Sequence, residues 1–450
     1  MSEEVIRKAD KDFSKELDVE LPKIEEIAKS GDKEQAFEAL LTFEKKTRQA
    51  NDVFSSKRVL VAIANLLASQ PDWTRLDEEV QTLVKKHGQS KQAITALIQE
   101  VIKLLPKAPS QDAEIATIEA IRLISEGRIY LELERAQATW ILAKIEVDKF
   151  GNYAKAADLM GELQVETYGT MSMTEKIDYI LEQMTLYIKK GDFTHASIVS
   201  RKIVPRYFAK EKTDEKVSSQ KIRYYTLKTD IALNTEEYLN VCVNMRHIYD
   251  TDSVQQDDAK KHELLENMIM FAVLAPYDNE QSDMLHRLSI EPDLSLLPIY
   301  EELAEMFTTS ELIRWTKIFE VYGKDLKDHW VFTDEKFGKK RLADLRQRVT
   351  EHNIRVVAKF YTRISIQGLA ELLDLNVTET EDVVTKLVIN GTVWARIDRP
   401  QRIISFARPK DVDDVLNEWG YNTSKLLEHV ETLGHLIAKE GMMQSINSTK

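Results

Sequence analysis

The sequence predicts a protein dominated by α-helix: a right-handed solenoid of tetratricopeptide-like helical repeats, then a winged-helix module, then a C-terminal helix. Three observations carry this. First, Gly 14 and Pro 10 in 450 residues is less than half the ordinary share of about 12%, too few breakers for a loop-rich sandwich. Second, apolar residues recur three and four apart along most of the chain. Third, that pattern breaks near residue 341 into the order helix, strand, helix, helix, hairpin, which is the order of a winged helix.

The helical spacing is visible in Ala36, Phe37, Leu40, Leu41 and Phe43, in Ile94, Leu97, Ile98, Val101 and Leu105, and in Ile115, Ile118, Ile121, Leu123 and Ile124. A faint repeat runs through it. Gly31-Asp32 precedes Ala36 and Leu40, Gly151-Asn152-Tyr153 precedes Ala156 and Leu159, and Gly191-Asp192-Phe193 precedes Ala196 and Val199. Asn234 with Tyr238 reads as a degenerate fourth copy. Each copy supplies a Gly or Asn to close a helix, an aromatic to pack under the turn, and a small residue where neighbouring helices approach. Unrelated helical hairpins sharing a Gly-Asp turn would give the same pattern. The polar stretches Lys210 to Lys221 and Thr251 to His262 read as solvated loops.

Beyond residue 341, Leu345, Val349, Val356 and Phe360 mark one helix, Ile364 and Ile366 a short strand, and Leu369, Leu372 and Leu373 a second helix. The third helix opens with Thr378-x-x-Glu381, a capping-box spacing, carries Val383, Val384, Leu387 and Val388, and ends at Asn390-Gly391. Two β-like runs, Thr392 to Ile397 and Arg402 to Phe406, follow. Leu426, Val430, Leu433 and Ile437 then repeat at intervals of four, three and four, a coiled-coil-like seam. The expected domains are 1–230, 231–340, 341–409 and 410–440, with a disordered tail at 441–450.

Composition restricts function. The 75 acidic residues outnumber the 62 basic ones, a net charge of −13 that repels phosphate backbones and anionic membranes unless a local patch reverses it. A single cysteine, Cys242, excludes a disulfide framework and any multi-cysteine metal site. It lies among Leu239, Val241 and Val243 and reads as a buried small hydrophobe. The charged N-terminus lacks the apolar core of a signal peptide, and the apolar stretch Val59 to Ala68 is far short of the roughly 20 residues of a membrane span. A soluble intracellular protein is expected.

No catalytic pattern survives inspection. Phosphate-binding glycine loops and the nucleophile-elbow motif are missing from the sequence. His262-Glu263-Leu264-Leu265-Glu266 ends in Glu where a zinc protease helix needs His. His429 and His435 are six apart, about 240° around a helix, and cannot share a ligand. The polar run Asp278 to Asp283 with His286 could be a metal or acid–base site. A turn after Pro276 whose Asp and Asn cap the next helix is the favoured reading. No cofactor, metal site or catalytic residue is therefore expected.

Nucleic-acid binding is disfavoured, since the third helix begins Thr378-Glu379-Thr380-Glu381-Asp382 and carries only Lys386, where groove reading needs Arg, Lys, Asn or Gln. The basic residues Lys336, Lys339, Lys340, Arg341, Arg346 and Arg348, with Arg396, Arg399 and Arg402, suit a solvated face or an acidic partner protein equally well. What remains is surface for proteins: a concave repeat wall, a strand edge open to β-augmentation, and a terminal amphipathic helix.

Several stretches sharpen this. EGRIYLELERA (126–136), ELQVETYG (162–169), LAPYDNEQSDMLHRL (274–288), MFTTSELIRW (306–315) and HNIRVVAKFYTRI (352–364) together resemble the PCI-domain family. Within it they resemble the proteasome regulatory-particle lid subunits of the non-ATPase subunit five type. The resemblance implies that 231–340 is the helical part of a PCI domain and that the chain is a non-catalytic lid scaffold of cytoplasm and nucleus. Implied partners are the other lid PCI subunits, the lid metalloprotease subunit, the ATPase ring and the core particle. It places an edge-strand interface at Arg402, Ile403, Ile404, Ser405 and Phe406, and a bundle helix at Leu426, Val430, Leu433 and Ile437. The alternatives are a PCI scaffold of the signalosome and a winged-helix nucleic-acid binder.

Overall fold

The structure, a computed structural model, describes residues 13–30, 33–70, 72–210, 215–323, 329–333 and 336–448. It is a run of helical repeats followed by a winged-helix module, with strand confined to three short segments among the described residues. Two compact units divide between Leu264 and Leu265, inside the helix Asp258–Leu274 and later than the expected boundary at 230/231.

In the first unit, consecutive helices pack as hairpins because each carries one apolar stripe. Ala36, Phe37, Leu40 and Phe43, and Ile94, Leu97, Ile98 and Val101, are buried in one core. Ile118, Ile121 and Ile124 join it, while Leu123 turns outward at 65% exposure. A second core gathers Ala156, Ala157, Met160, Ile180, Leu181, Met184 and Ala196.

The turn device of the repeat is real at two of the expected places. Gly151 closes the helix Glu132–Phe150 at φ 63°, and Gly191 closes Met173–Lys190 at φ 84°. Only glycine adopts that left-handed backbone without a Cβ penalty. The next residue caps the following helix: the Asn152 side chain accepts from the Lys155 N–H, and Asp192 from the His195 N–H. Ala156 and Ala196 are fully buried. The fourth copy is displaced from the expected Asn234: Glu236 takes φ 61° and Glu237 precedes the helix Tyr238–Tyr249. A further copy appears at Asn51 (φ 53°), whose neighbour Asp52 accepts from the Ser55 N–H. Gly31-Asp32 lies outside the described residues. The turn therefore recurs at unequal intervals along the chain.

Both stretches expected as loops are largely helical. Glu215–Asn234 takes in Lys221, and Asp252–Gln255 and Asp258–Leu274 occupy most of 251–262. Charged residues here form the solvated first turns of helices whose later turns are buried.

In the second unit, Leu345, Val349 and Val356 of the helix Gly338–Phe360 are buried, whereas Phe360 is exposed. Three strands form one antiparallel sheet: β1 (Arg363–Ser365), β2 (Arg396–Asp398) and β3 (Ile403–Ser405), in the order β1-β3-β2. Ile364 and Ile397 both sit opposite Ile404. Ile404 is fully buried with Ile354, Leu369, Val384 and Leu387. The helix Val377–Ile389 is preceded by Asn376 as its N-cap, two residues earlier than the Thr378 expected to open a capping box. Thr378 therefore lies inside the helix, and Glu381 is held by Arg399 of the wing, so the expected box does not form. Gly391 ends this segment at φ 74°.

Candidate interaction surfaces

The last helix, Val412–Ser448, is 37 residues long and continues through most of the tail expected to be disordered. Every residue from Ala407 to Ser445 is exposed. A helix this long normally needs a packed face, because propensity alone gives marginal stability. Its seam is apolar: Leu426, Val430 and Leu433 are each more than half exposed and Ile437 is 71% exposed. The same alternation of four and three runs back through Trp419, Leu416 and Val412, also exposed. Sequence reading missed those three because Thr423 interrupts the series. Leu427 and Leu436 widen the stripe. Lys410–Glu418 and Lys425–Glu428 pairs lie alongside, exposed contacts worth little individually. An uncovered apolar stripe of this length is chemically suited to packing against other helices.

The sheet corrects the expected edge strand. Arg402 to Phe406 was placed at an edge, yet Ile403, Ile404 and Ser405 form the central strand, paired to β1 on one side and β2 on the other. Its flanking residues are committed too. Arg402 sits in a turn at φ 55° with its carbonyl accepting from Ile366 N–H, and the Phe406 N–H donates to Thr362 O. With its ladder bonds used on both sides, this strand cannot accept a further one. The outer flanks belong to β1 and β2, whose Arg363, Ser365, Arg396 and Asp398 are exposed.

The other candidates resolve into structural roles. Cys242 is fully buried and burial pushes its thiol up to about 12, so it is an inert thiol. Asp278 caps the helix Asn279–Ser289, the favoured reading, and Asp283 pairs with Arg287 rather than His286. Among the described residues no group of three His, Cys, Asp or Glu is placed to hold a metal ion. No described helix is long and apolar enough to cross a membrane.

Three of the basic residues are engaged within the chain. Arg341 is 2% exposed and donates to the Val331 carbonyl, Arg348 pairs with Glu351, and Arg399 with Glu381. Beside the start of Val377–Ile389, an open groove of about 700 Å³ is lined by Glu371, Asp374 and Glu379 with one cation, Arg346. Phosphates would meet carboxylates there.

The comparisons with known proteins agree with this geometry. A family model described as PSMD12/CSN4, N-terminal, matches residues 35–257. The PCI domain matches 324–408, and the 26S proteasome regulatory subunit RPN5 C-terminal domain matches 413–445, the exposed helix. The chain is 42% identical to 26S proteasome regulatory subunit RPN5 of Saccharomyces cerevisiae over 450 residues, all of both chains. It is 36% identical over 433 residues to 26S proteasome non-ATPase regulatory subunit 12 homolog A of Arabidopsis thaliana, covering 92% of this chain and 98% of that one. COP9 signalosome complex subunit 4 of Dictyostelium discoideum is 25% identical over 195 residues, covering 42% of this chain and 46% of that protein. Identity over the full length, with a matching terminal helix, separates the first pair from the third: the chain belongs to the RPN5/PSMD12 family of 26S proteasome regulatory subunits.

Proposed function

We propose that this chain is a non-catalytic scaffold of the regulatory-particle lid, supporting lid assembly and ATP-dependent degradation of ubiquitinated proteins in cytoplasm and nucleus. The observation that carries the reading is the C-terminal helix, whose apolar seam is exposed along its length and which matches the RPN5 C-terminal domain. In a lid, that seam around Leu426, Val430, Leu433 and Ile437 packs into a bundle with the terminal helices of other PCI subunits and the metalloprotease subunit. The winged-helix sheet offers β1 or β2 for side-by-side association. The repeat arm, by this reading residues 1–230, reaches toward the ATPase ring and the core particle.

The test is purification of the tagged chain from its own cells at low salt, with stoichiometric partners identified by mass spectrometry. Lid and base subunits of the proteasome are expected. Signalosome subunits, or nucleic acid, recovered in their place would overturn the assignment.

A further inference from the structure

Three of the sequence stretches that carry the family resemblance meet at one cleft that none of the functions above uses. Tyr277, Ser282 and His286 come from LAPYDNEQSDMLHRL, Phe307 and Ser310 from MFTTSELIRW, and His352, Arg355 and Lys359 from HNIRVVAKFYTRI; all line an open cleft of about 380 Å³.

The walls are tied together by buried polar contacts. Asn353 accepts from the Ile313 N–H at 2.8 Å and donates to the Ile313 carbonyl at 2.8 Å. His352 Nε2 lies 3.2 Å from the Glu311 carbonyl, and Gln281 donates to the Ala272 carbonyl at 2.8 Å. A cleft held at this many points is preorganised.

Its charge runs against the rest of the molecule. In a chain of net charge −13, the lining holds Arg355 and Lys359 with two histidines and no carboxylate. Of the acids close by, Asp283 pairs with Arg287, and Glu351, whose charge is felt at Arg355, is shared with Arg348 and Gln347. The Arg355 guanidinium lies 3.8 Å from the centre of the Tyr277 ring, which fixes its plane. Burial disfavours its charge, and the structure gives it neither an ion pair nor a hydrogen bond. A half-buried cation left in this state favours an anion that supplies the missing charge. Leu285 and Val356 line the same cleft and are buried, an apolar floor that a bare inorganic anion would not use.

We propose that this cleft docks an acidic segment of a neighbouring protein subunit, with an Asp or Glu carboxylate on Arg355 and Lys359 and an adjoining apolar side chain over Leu285 and Val356. A guanidinium with its face on an aromatic ring keeps its N–H edge for a bidentate carboxylate. The proposal rests on the scaffold reading above.

The experiment is zero-length carbodiimide coupling in the purified native complex, followed by peptide mass spectrometry. This chemistry joins an amine to a carboxylate only where the two touch. Lys359 is expected to couple to an Asp or Glu of another chain. Arg355→Ala should lower that yield roughly tenfold, as loss of a charged hydrogen-bond partner implies, and raised salt should lower it in the wild-type complex. A melting curve of the isolated Arg355→Ala chain checks that it folds; if it does not, the wild-type coupling and its salt dependence decide alone. Coupling of Lys359 only within its own chain, or none, while Lys425 and Lys439 of the C-terminal helix couple to neighbours, would overturn the cleft and leave the scaffold standing. Failure at all three lysines would likewise overturn the cleft, while the scaffold reading stands or falls on the partners recovered in the purification above.

Discussion

Two helices of this chain show opposite solutions to the same problem. In Asp258–Leu274, every residue from Asn267 through Leu274 is buried, and Phe271 sits against Trp330 with Arg341 over its ring. In Val412–Ser448, no side chain through Ser445 is buried although the apolar stripe is longer. The first helix has been given its cover by its own chain. The second is exposed along its described length, and the contrast separates an apolar surface used in folding from the one assigned to the bundle proposed above.

Substitution should separate the two. Val430→Asp with Leu433→Asp would bury two unpaired carboxylates in any helix bundle, at several kcal/mol, so incorporation into the complex should fall roughly hundredfold or more. The isolated chain should keep its melting temperature and helical circular dichroism. Phe271→Ala should do the reverse, costing about 3–5 kcal/mol of the chain's own stability, read as a lowered denaturant midpoint. Normal assembly of the double variant, or an unchanged midpoint for Phe271→Ala, would dissolve the distinction.

The contrast also measures what could be read from the sequence. Three-and-four spacing placed Leu426, Val430, Leu433 and Ile437 on one face of the last helix, whereas the start of Asp258–Leu274 read as a loop because its first turn is charged. Spacing says that a face is apolar, however, and is silent on what covers it. The same gap explains the strand error. Arg402 to Phe406 alternates as a strand should, but whether a strand is central or at an edge depends on pairing across some 40 residues, Ser365 with Ile403 and Arg363 with Ser405. The acidic-lined groove at Glu371, Asp374 and Glu379 was foreshadowed by the acidic start of its helix. The cleft at Arg355 was not, because its walls come from three segments separated along the chain.

A smaller effect should distinguish the buried side further. His352 is buried, and desolvation, followed by the nearby Arg355 charge, holds its ring down at about 4 against an ordinary value of 6.5. The unfolded chain therefore binds a proton near pH 6.5 that the folded chain refuses until near pH 4. Stability is full above pH 6.5 and falls as pH drops through that window, by up to about 3 kcal/mol. Denaturant midpoints measured from pH 7 to pH 4 should show a steeper loss for the wild-type chain than for His352→Gln, which takes up no proton there. Parallel curves for the two chains would mean that His352 is protonated in the folded state.

The smallest expected effect tests the repeat itself. Gly191 adopts φ 84°, and a Cβ built there meets no atom within 4 Å. Gly191→Ala therefore has no steric cost beyond its own backbone, and the left-handed conformation alone should remove about 1–2 kcal/mol. The Asp192 N–H donates to the Tyr187 carbonyl at 2.9 Å, and Asp192 caps the next helix, so the turn has reason to persist while the variant loses stability. Asn51 and Glu236 hold the same conformation without glycine, which shows that the fold tolerates that cost where other contacts offset it. A modest drop in the denaturant midpoint with unchanged helicity is the expected result. A loss several times larger would mean that the turn at Gly191 rearranges, and that the repeat depends on glycine there for more than its backbone angle.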